Sequence, residues 1–116
     1  MSDKAYNLDQ LREIAEGNEE FIVEMVQLFI INTRMVLTDL KAQIEERNSE
    51  KVSKLAHSIK PNMNTYGIPG AAEKLIFIEK EGAPAGQWEL VSDSYSKVHT
   101  LVEQAILQME KDFKLS

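Results

Sequence analysis

Two residues one helical turn apart, His57 and Lys60, have the types and spacing that could do chemistry in this 116-residue chain. A neutral imidazole nitrogen is a competent nucleophile because histidine titrates close to neutrality. A phosphoryl group on it would carry roughly two negative charges, and a lysine about 5 Å away would stabilise them by about 1–3 kcal/mol. Phosphoryl transfer asks little more of a protein than positioning and charge stabilisation. The pair therefore suffices for a phosphoryl carrier, although a surface histidine beside a solubilising lysine is the ordinary alternative.

The helix that carries this pair is strongly two-sided. At about 100° per residue one face is apolar and must be buried, and it collects Val52, Leu55, Ile59, Met63 and Tyr66. His57 lies roughly 160° from the centre of that face, so we expect its imidazole to point to solvent. Ser53, Lys60, Pro61 and Asn64 share its side.

Pro61 falls within the same helix, four residues after His57. A proline in a helix interior costs about 3 kcal/mol and removes the hydrogen bond to the carbonyl four residues back, which here belongs to His57. Its short side chain also leaves the approach to the imidazole open. The alternative is that Pro61 ends the helix and a new one begins after it.

Five helical segments are predicted between the prolines and glycines that punctuate the chain. They cover residues 8–15, 19–47, 48 or 49 to 66, 68–81 and 87–113. Asn7 with Gln10 resembles a capping box for the first helix, which Gly17 ends, and Asn18 caps the second. Gly67 is placed to end the third helix as a structural turn in the left-handed conformation. We therefore predict an all-α protein: a single domain over residues 1–116, built as an antiparallel four-helix bundle with a short additional N-terminal helix.

Residues 55–67, Leu-Ala-His-Ser-Ile-Lys-Pro-Asn-Met-Asn-Thr-Tyr-Gly, resemble the active-site helix of the histidine-containing phosphotransfer (HPt) domains of multistep two-component phosphorelays. In that family an Ala-His pair is followed by a lysine after three residues, matched by Lys60, and by a helix-ending glycine after ten, matched by Gly67. An apolar-x-x-apolar-Glu segment of the next helix is matched at residues 75–79. The chain departs from the family at Pro61, where glycine is usual.

The resemblance implies that His57 accepts a phosphoryl group from a receiver-domain aspartyl phosphate and passes it to another receiver, through Nε2 by family precedent. Lys60 would stabilise the charge, and the contact surface would be framed by Ser53, Lys54, Ser58, Pro61 and Asn64. The partners would be response-regulator receiver domains and a hybrid sensor kinase, and any Mg²⁺ would belong to the receiver. The chain would be a monomeric carrier without a kinase site or a cofactor of its own, rather than an enzyme.

Composition narrows the choice of partner. The formal net charge of −6 disfavours nucleic acids and anionic membranes. With no cysteine and two histidines, a transition-metal site is not expected. No leader peptide and no apolar run of about 20 residues is apparent, so we expect a cytoplasmic protein without a membrane segment.

Two further features leave alternatives open. The second helix is apolar over more than half its circumference, so either the first helix covers the surplus or Ile30 and Leu37 stay exposed as a partner-binding patch. His99 lies at the edge of the apolar stripe of the last helix and is expected to be a boundary or core residue. A helical adaptor that binds a signalling protein and never carries phosphate is the alternative function, and an exposed His57 with Lys60 beside it would argue against it.

Overall fold

The computed structural model describes residues 4–115, which contain five α-helices and no β-strand. The helices are α1 (Asp9–Ala15), α2 (Glu19–Glu45), α3 (Ser49–Thr65), α4 (Ala71–Phe77) and α5 (Trp88–Asp112). The predicted all-α class is thereby confirmed for this part of the chain. The long helices start and end within two residues of their predicted bounds.

Local signals in the sequence account for most helix ends. The side chains of Asn18 and Asn48 accept hydrogen bonds from the backbone N–H three residues on, at the starts of α2 and α3. Gly67 follows α3 with a φ of +58°, the left-handed conformation predicted for it. A Cβ at this position would also collide with the backbone of Asn7, so the close approach of the N-terminal segment requires glycine as well.

The capping box predicted at Asn7 and Gln10 is wrong. The Asn7 side chain accepts from the N–H of Asp9, two residues on, and α1 begins after Leu8. A capping box needs the N–H of its first residue free to donate to the later side chain. Here the N–H of Asn7 donates to the carbonyl of Tyr66, which ties the N-terminal segment to the end of α3.

The predicted fourth helix, 68–81, is divided into two parts. Residues 68–70 form a turn in which Gly70 has a φ of +83°, and α4 starts only at Ala71. Beyond Phe77 the chain continues as a π-helical turn, Ile78–Gly82, in which the N–H of Ala83 reaches the carbonyl of Ile78 five residues back. Helical periodicity predicts the extent of such a segment better than its pitch, because one π turn shifts the side chains that follow by only a fraction of a turn.

One apolar core joins all five helices, and α2 packs against α1, α3 and α5. The largest fully buried side chains come from α2, α3, α4, the π turn and α5: Ile22, Val26, Leu37, Leu40, Val52, Ile59, Met63, Leu75, Ile78, Val91, Ile106 and Met109. Polar contacts also tie α2 to α5. The Tyr95 hydroxyl donates to the carbonyl of Leu37 over 2.9 Å, and the Arg34 guanidinium donates twice to the carboxylate of Glu103.

The contact of α5 with α2 overturns the partner patch predicted at Ile30 and Leu37. These side chains are only 7% and 2% exposed, because they lie on the side of α2 that α5 covers. The apolar surplus of α2 is instead on its outer face, at Leu28, Ile31 and Met35, all of which are exposed. We call these three residues the outer stripe.

By length and composition alone, α2 is apolar enough to cross a membrane. The same composition is found in the core helix of a soluble protein, and here eight of its side chains are buried against the rest of the chain: Ile22, Val26, Phe29, Ile30, Thr33, Leu37, Leu40 and Ile44. The sequence-based expectation that no segment spans a membrane rested on short contiguous apolar runs, and it stays a prediction.

Candidate functional site

The imidazole of His57 stands on the outer face of α3, with 63% of its side chain exposed. The opposite face is buried as its periodicity predicts, with Val52, Ile59 and Met63 in the core. Leu55 is the exception among the predicted core residues, because it lies at the edge of that face and is only partly buried. An exposed, helix-mounted imidazole is open to attack a group presented by another molecule.

One carboxylate from another element holds both residues of the predicted pair. Glu79, the second residue of the π turn, lies with Oε2 2.8 Å from Nδ1 of His57 and with Oε1 3.3 Å from Nζ of Lys60. The three side chains form a compact cluster that joins α3 to the π turn. We refer to it as the His57 cluster.

Glu79 is the most enclosed member of the His57 cluster. Its side chain is 16% exposed and that of Lys60 is 21% exposed. Burial by itself would raise the pKa of the Glu79 carboxyl, but the hydrogen bonds from Lys60 and His57 outweigh burial and hold that pKa below its usual value. Glu79 is therefore an anion at neutral pH.

The charge on Glu79 determines the state of the imidazole. A carboxylate only accepts hydrogen bonds, so the 2.8 Å contact places a proton on Nδ1 of His57. In the neutral ring the lone pair is then on Nε2, which is the nitrogen not engaged by Glu79. The arrangement provides an oriented nucleophile whose positive charge, if it forms a bond through Nε2, is balanced by an adjacent anion.

Lys60 departs from the role its spacing predicts. Its ammonium is directed to Glu79, so its charge is already offset in the resting protein. It reaches the imidazole through their shared carboxylate. An incoming anion at Nε2 of His57 would compete with Glu79 for this lysine.

Pro61 lies inside α3, which continues without a break to Thr65, so the alternative in which the proline ends the helix is wrong. Having no N–H, Pro61 leaves the carbonyl of His57 without its usual helical donor. The Pro61 ring and the side chain of Asn64 are on the exposed face of α3, as predicted for a contact surface.

The other predicted contact residues on α3 are divided. Lys54 is exposed and pairs with Glu50 one turn back over 3.3 Å. Ser58 is exposed as well, and its hydroxyl donates to the carbonyl of Leu55 in its own helix. Ser53 is different: it is partly buried, and its hydroxyl donates to the backbone carbonyl of Glu79 over 3.0 Å. Ser53 therefore faces the π turn rather than a partner.

His99, the second histidine, is exposed on α5, so its predicted boundary or core position is wrong. Val98 and Val102 take the inward positions of that turn, and His99 is rotated about 100° away from Val98. Its ring centroid lies 6.0 Å from that of Tyr95.

Residues 4–115 contain no group of metal ligands, and His57 does not line the main surface clefts of this part of the chain. Within residues 4–115 no three His, Cys, Asp or Glu side chains lie close enough to hold a metal ion together. A larger cleft of about 920 Å³ lies at the N-terminal segment, lined by Tyr6, Arg12, Asp112 and neighbouring residues. His57 is not part of its lining, so the cleft is separate from the candidate chemistry.

Two site residues were not identified from the sequence in their observed roles. The sequence indicates Glu79 only as part of the segment 75–79, because nothing in the local pattern reveals that the π turn brings it to His57. Ser49 was considered only as a helix start, although its hydroxyl donates to the carbonyl of Ala83 over 2.8 Å. The signal that could have found the serines is spacing, since Ser49, Ser53 and His57 recur every four residues along one side of α3.

Comparison with protein-family models, with curated proteins and with solved structures found no match to the chain.

Proposed function

We propose that this protein is a phosphorelay carrier in which His57 accepts a phosphoryl group from an aspartyl phosphate of a receiver domain and passes it to another receiver. The observation that carries the proposal is the anionic, largely buried Glu79 on Nδ1 of an imidazole that is otherwise exposed. A surface histidine that has no functional role does not need an enclosed carboxylate on its ring nitrogen.

The transfer is a substitution at phosphorus. Nε2 of His57 attacks the phosphorus of the aspartyl phosphate, an N–P bond forms, and the P–O bond to the receiver aspartate breaks to release its carboxylate. The imidazole keeps its proton on Nδ1 and gains positive charge, which Glu79 balances. In the second half of the cycle, the aspartate of another receiver attacks the phosphorus and Nε2 leaves with its lone pair restored.

Lys60 stabilises the phosphoryl group by shifting its ammonium from Glu79 towards the incoming oxygens. As the phosphoryl group arrives with about two negative charges, Lys60 can share its ammonium between Glu79 and the phosphoryl oxygens. Positioning and charge stabilisation are what phosphoryl transfer requires. The reaction needs no kinase site and no cofactor on this chain.

We extend the proposal to the arrangement of the helices. We infer that α2, α3, the α4–π segment and α5 form an antiparallel four-helix bundle, with α1 as the additional helix. It is supported by the contacts of α2 with α3, α3 with α4, α4 with α5 and α5 with α2, which join the four in a ring, and by the short connections between them. With the sequence resemblance at residues 55–67 and 75–79, this favours a single HPt-like domain.

The partners and the cellular location that we propose follow from the resemblance to HPt domains. The partners are response-regulator receivers, with a hybrid sensor kinase upstream, and the carrier works as a monomer in the cytoplasm. The net charge of −6 favours protein partners over nucleic acids and anionic membranes.

The test is transfer from a panel of receiver domains that carry radiolabelled aspartyl phosphate. We expect label on this chain that is lost in acid and retained in alkali, as for a phosphoramidate, and no label on the His57→Gln variant. The His99→Gln variant is the matched control and should accept label like the parent. Label on the His57→Gln variant, or no label on the parent from any receiver, would overturn the proposal.

A second function, a helical adaptor that binds a signalling protein without carrying phosphate, is favoured by the exposed outer stripe. Single exposed apolar side chains are ordinary, but Leu28, Ile31 and Met35 lie together on one face of α2. For an adaptor we expect Ile31→Ser to weaken capture of a partner while His57→Gln leaves it unchanged. Leu90→Ser, at an exposed apolar position of α5, is the control.

A further inference from the structure

We infer that Ser53, assisted by Ser49, is a positioning residue for His57: its hydroxyl holds the π turn in the register that brings Glu79 to the imidazole. The inference rests on the proposed function for its purpose, but its geometry stands on the contacts between α3 and the π turn. No interaction of Ser53 with a partner is needed.

The carbonyl of Glu79 lacks both its α-helical and its π-helical backbone donor. The α-helical donor would be the N–H of Ala83, which instead bonds the carbonyl of Ile78 over 3.0 Å. The π-helical donor would be residue 84, which is a proline and has no N–H. The hydroxyl of Ser53, on the neighbouring helix α3, donates to this carbonyl over 3.0 Å instead. Leaving a buried carbonyl without a donor costs about 1–3 kcal/mol, and this partly buried carbonyl would bear a share of that cost, so the bond favours the observed register.

A second hydroxyl repeats the contact one turn away. Ser49 donates to the carbonyl of Ala83 over 2.8 Å, so two serines four residues apart on α3 hold two carbonyls four residues apart at the π turn. His57 is the next residue in the same series, and it meets the side chain of Glu79 rather than a carbonyl. One stripe of α3 therefore fixes both the backbone and the carboxylate of Glu79.

Close packing around Gly82 leaves the π turn no room to move away from α3. A Cβ at Gly82 would come within 2.6 Å of Val91 on α5 and within 2.9 Å of Phe77. The turn is therefore held between packed side chains behind and the two serines in front. Loss of the Ser53 hydroxyl removes the front contact, and we expect Glu79 to be held less firmly at Nδ1 of His57.

The experiment is ¹⁵N NMR of the histidine side chain in the unphosphorylated protein, which reports which ring nitrogen carries the proton. In the parent, we expect the Nδ1–H form of neutral His57 to predominate. In Ser53→Ala the ratio of Nδ1–H to Nε2–H forms should fall several-fold, and Ser53→Thr, which keeps a hydroxyl, should restore it. Ser58→Ala is the matched control because the Ser58 hydroxyl bonds within its own helix. Helical circular dichroism and thermal melts establish that each variant is folded.

An unchanged tautomer ratio in folded Ser53→Ala would overturn the inference. If that variant does not fold, Ser49→Ala decides the question. We expect a smaller fall in the ratio of Nδ1–H to Nε2–H forms, and an unchanged ratio would overturn the inference. The outcome is independent of phosphate. A parent that accepts phosphate while Ser53→Ala keeps the parental ratio removes the inference and leaves the proposed function. A shifted ratio in a protein that no receiver phosphorylates does the reverse.

Discussion

His57 and His99 are both exposed on long helices, and each has a glutamate nearby, yet their surroundings differ in one respect. Glu79 comes from a different element and divides its two oxygens between Nδ1 of His57 and Nζ of Lys60. Glu103, one turn from His99 on the same helix, accepts hydrogen bonds from Arg34 with both of its oxygens. The hydrogen bonds from Arg34 lower the pKa of Glu103, so its charge serves the contact between α2 and α5.

The difference teaches that exposure alone does not make a histidine a candidate nucleophile. His57 has an enclosed anion that fixes its tautomer and can balance a positive charge on the ring, whereas the carboxylate beside His99 is committed to an arginine. This contrast between the two histidines can be tested by substitution and by pH.

Removal of the two glutamates should affect transfer very differently. A hydrogen bond to a charged group is worth about 1.5–3 kcal/mol, so Glu79→Ala should slow phosphoryl acceptance by roughly 10- to 150-fold if the bond is needed in the transition state. Glu103→Ala should leave the rate within about twofold and instead lower the melting temperature. The measurements are single-turnover transfer from one phosphorylated receiver and thermal melts of both variants. Equal rates for the two variants would show that Glu79 has no part in the chemistry.

Removal of Lys60 should have a smaller effect. Because Glu79 already offsets its charge, we expect Lys60→Ala to slow acceptance by about fivefold, which corresponds to about 1 kcal/mol at surface dielectric. Loss of the Lys60 hydrogen bond should also raise the pKa of Glu79 towards its usual value, which ¹³C NMR of the carboxyl group can follow. Lys51→Ala, which removes an exposed lysine of the same helix outside the predicted contact surface, is the control and should change neither quantity. A similar slowing by both variants would indicate a general effect of surface charge on docking.

The free energy of unfolding should depend on pH in the acidic range through three carboxylates of the folded protein. The pKa values of Glu79, Glu103 and Asp112 are all lowered in the folded protein, so the folded form binds fewer protons than the unfolded form. Their contribution to the free energy of unfolding should be complete above about pH 5 and lost as pH falls through the folded values. Urea denaturation between pH 7 and pH 3 should show this fall, and Glu79→Gln should make it shallower. Parallel curves for the parent and the variant would mean that Glu79 makes no such contribution.

Pro61 lies one turn after His57 within α3, whereas α5, which carries His99, contains no proline. Replacement by glycine restores an N–H for the carbonyl of His57 and is about 2 kcal/mol more favourable in a helix interior. Pro61→Gly should therefore keep or raise the stability and leave the transfer rate unchanged. Pro69→Gly, in the turn before α4, is the control and should lower stability by about 0.4–1 kcal/mol through the unfolded chain. A marked loss of transfer in Pro61→Gly would show that the proline shapes the site itself.

Much of this fold is predictable from local patterns. Apolar periodicity and the caps at Asn18 and Asn48 specify α2 and α3 to within a few residues, because each depends on neighbours in sequence. The same periodicity places His57 on the exposed face of α3. The buried position of Leu37 was not predictable, since it depends on which side of an almost wholly apolar helix α5 covers.

The site is less accessible to such reasoning than the fold. The spacing of Lys60 from His57 suggests direct cooperation, but their link through Glu79 depends on contact between residues 19 and 22 positions apart in sequence. Whether Glu79 reaches them depends in turn on the π turn, which arises from Gly82, Pro84 and the serines of α3 acting together. Each of those residues taken alone would be read as an ordinary loop or surface residue.

The most direct test of the central claim is the bond that phosphorylation makes. The protein labelled with ¹⁵N in its histidines is phosphorylated by a cognate receiver, and coupling between ³¹P and the ring nitrogens is measured by NMR. We expect coupling to Nε2 of His57, with Nδ1 still protonated towards Glu79. Coupling to Nδ1 of His57, or to either nitrogen of His99, would contradict it.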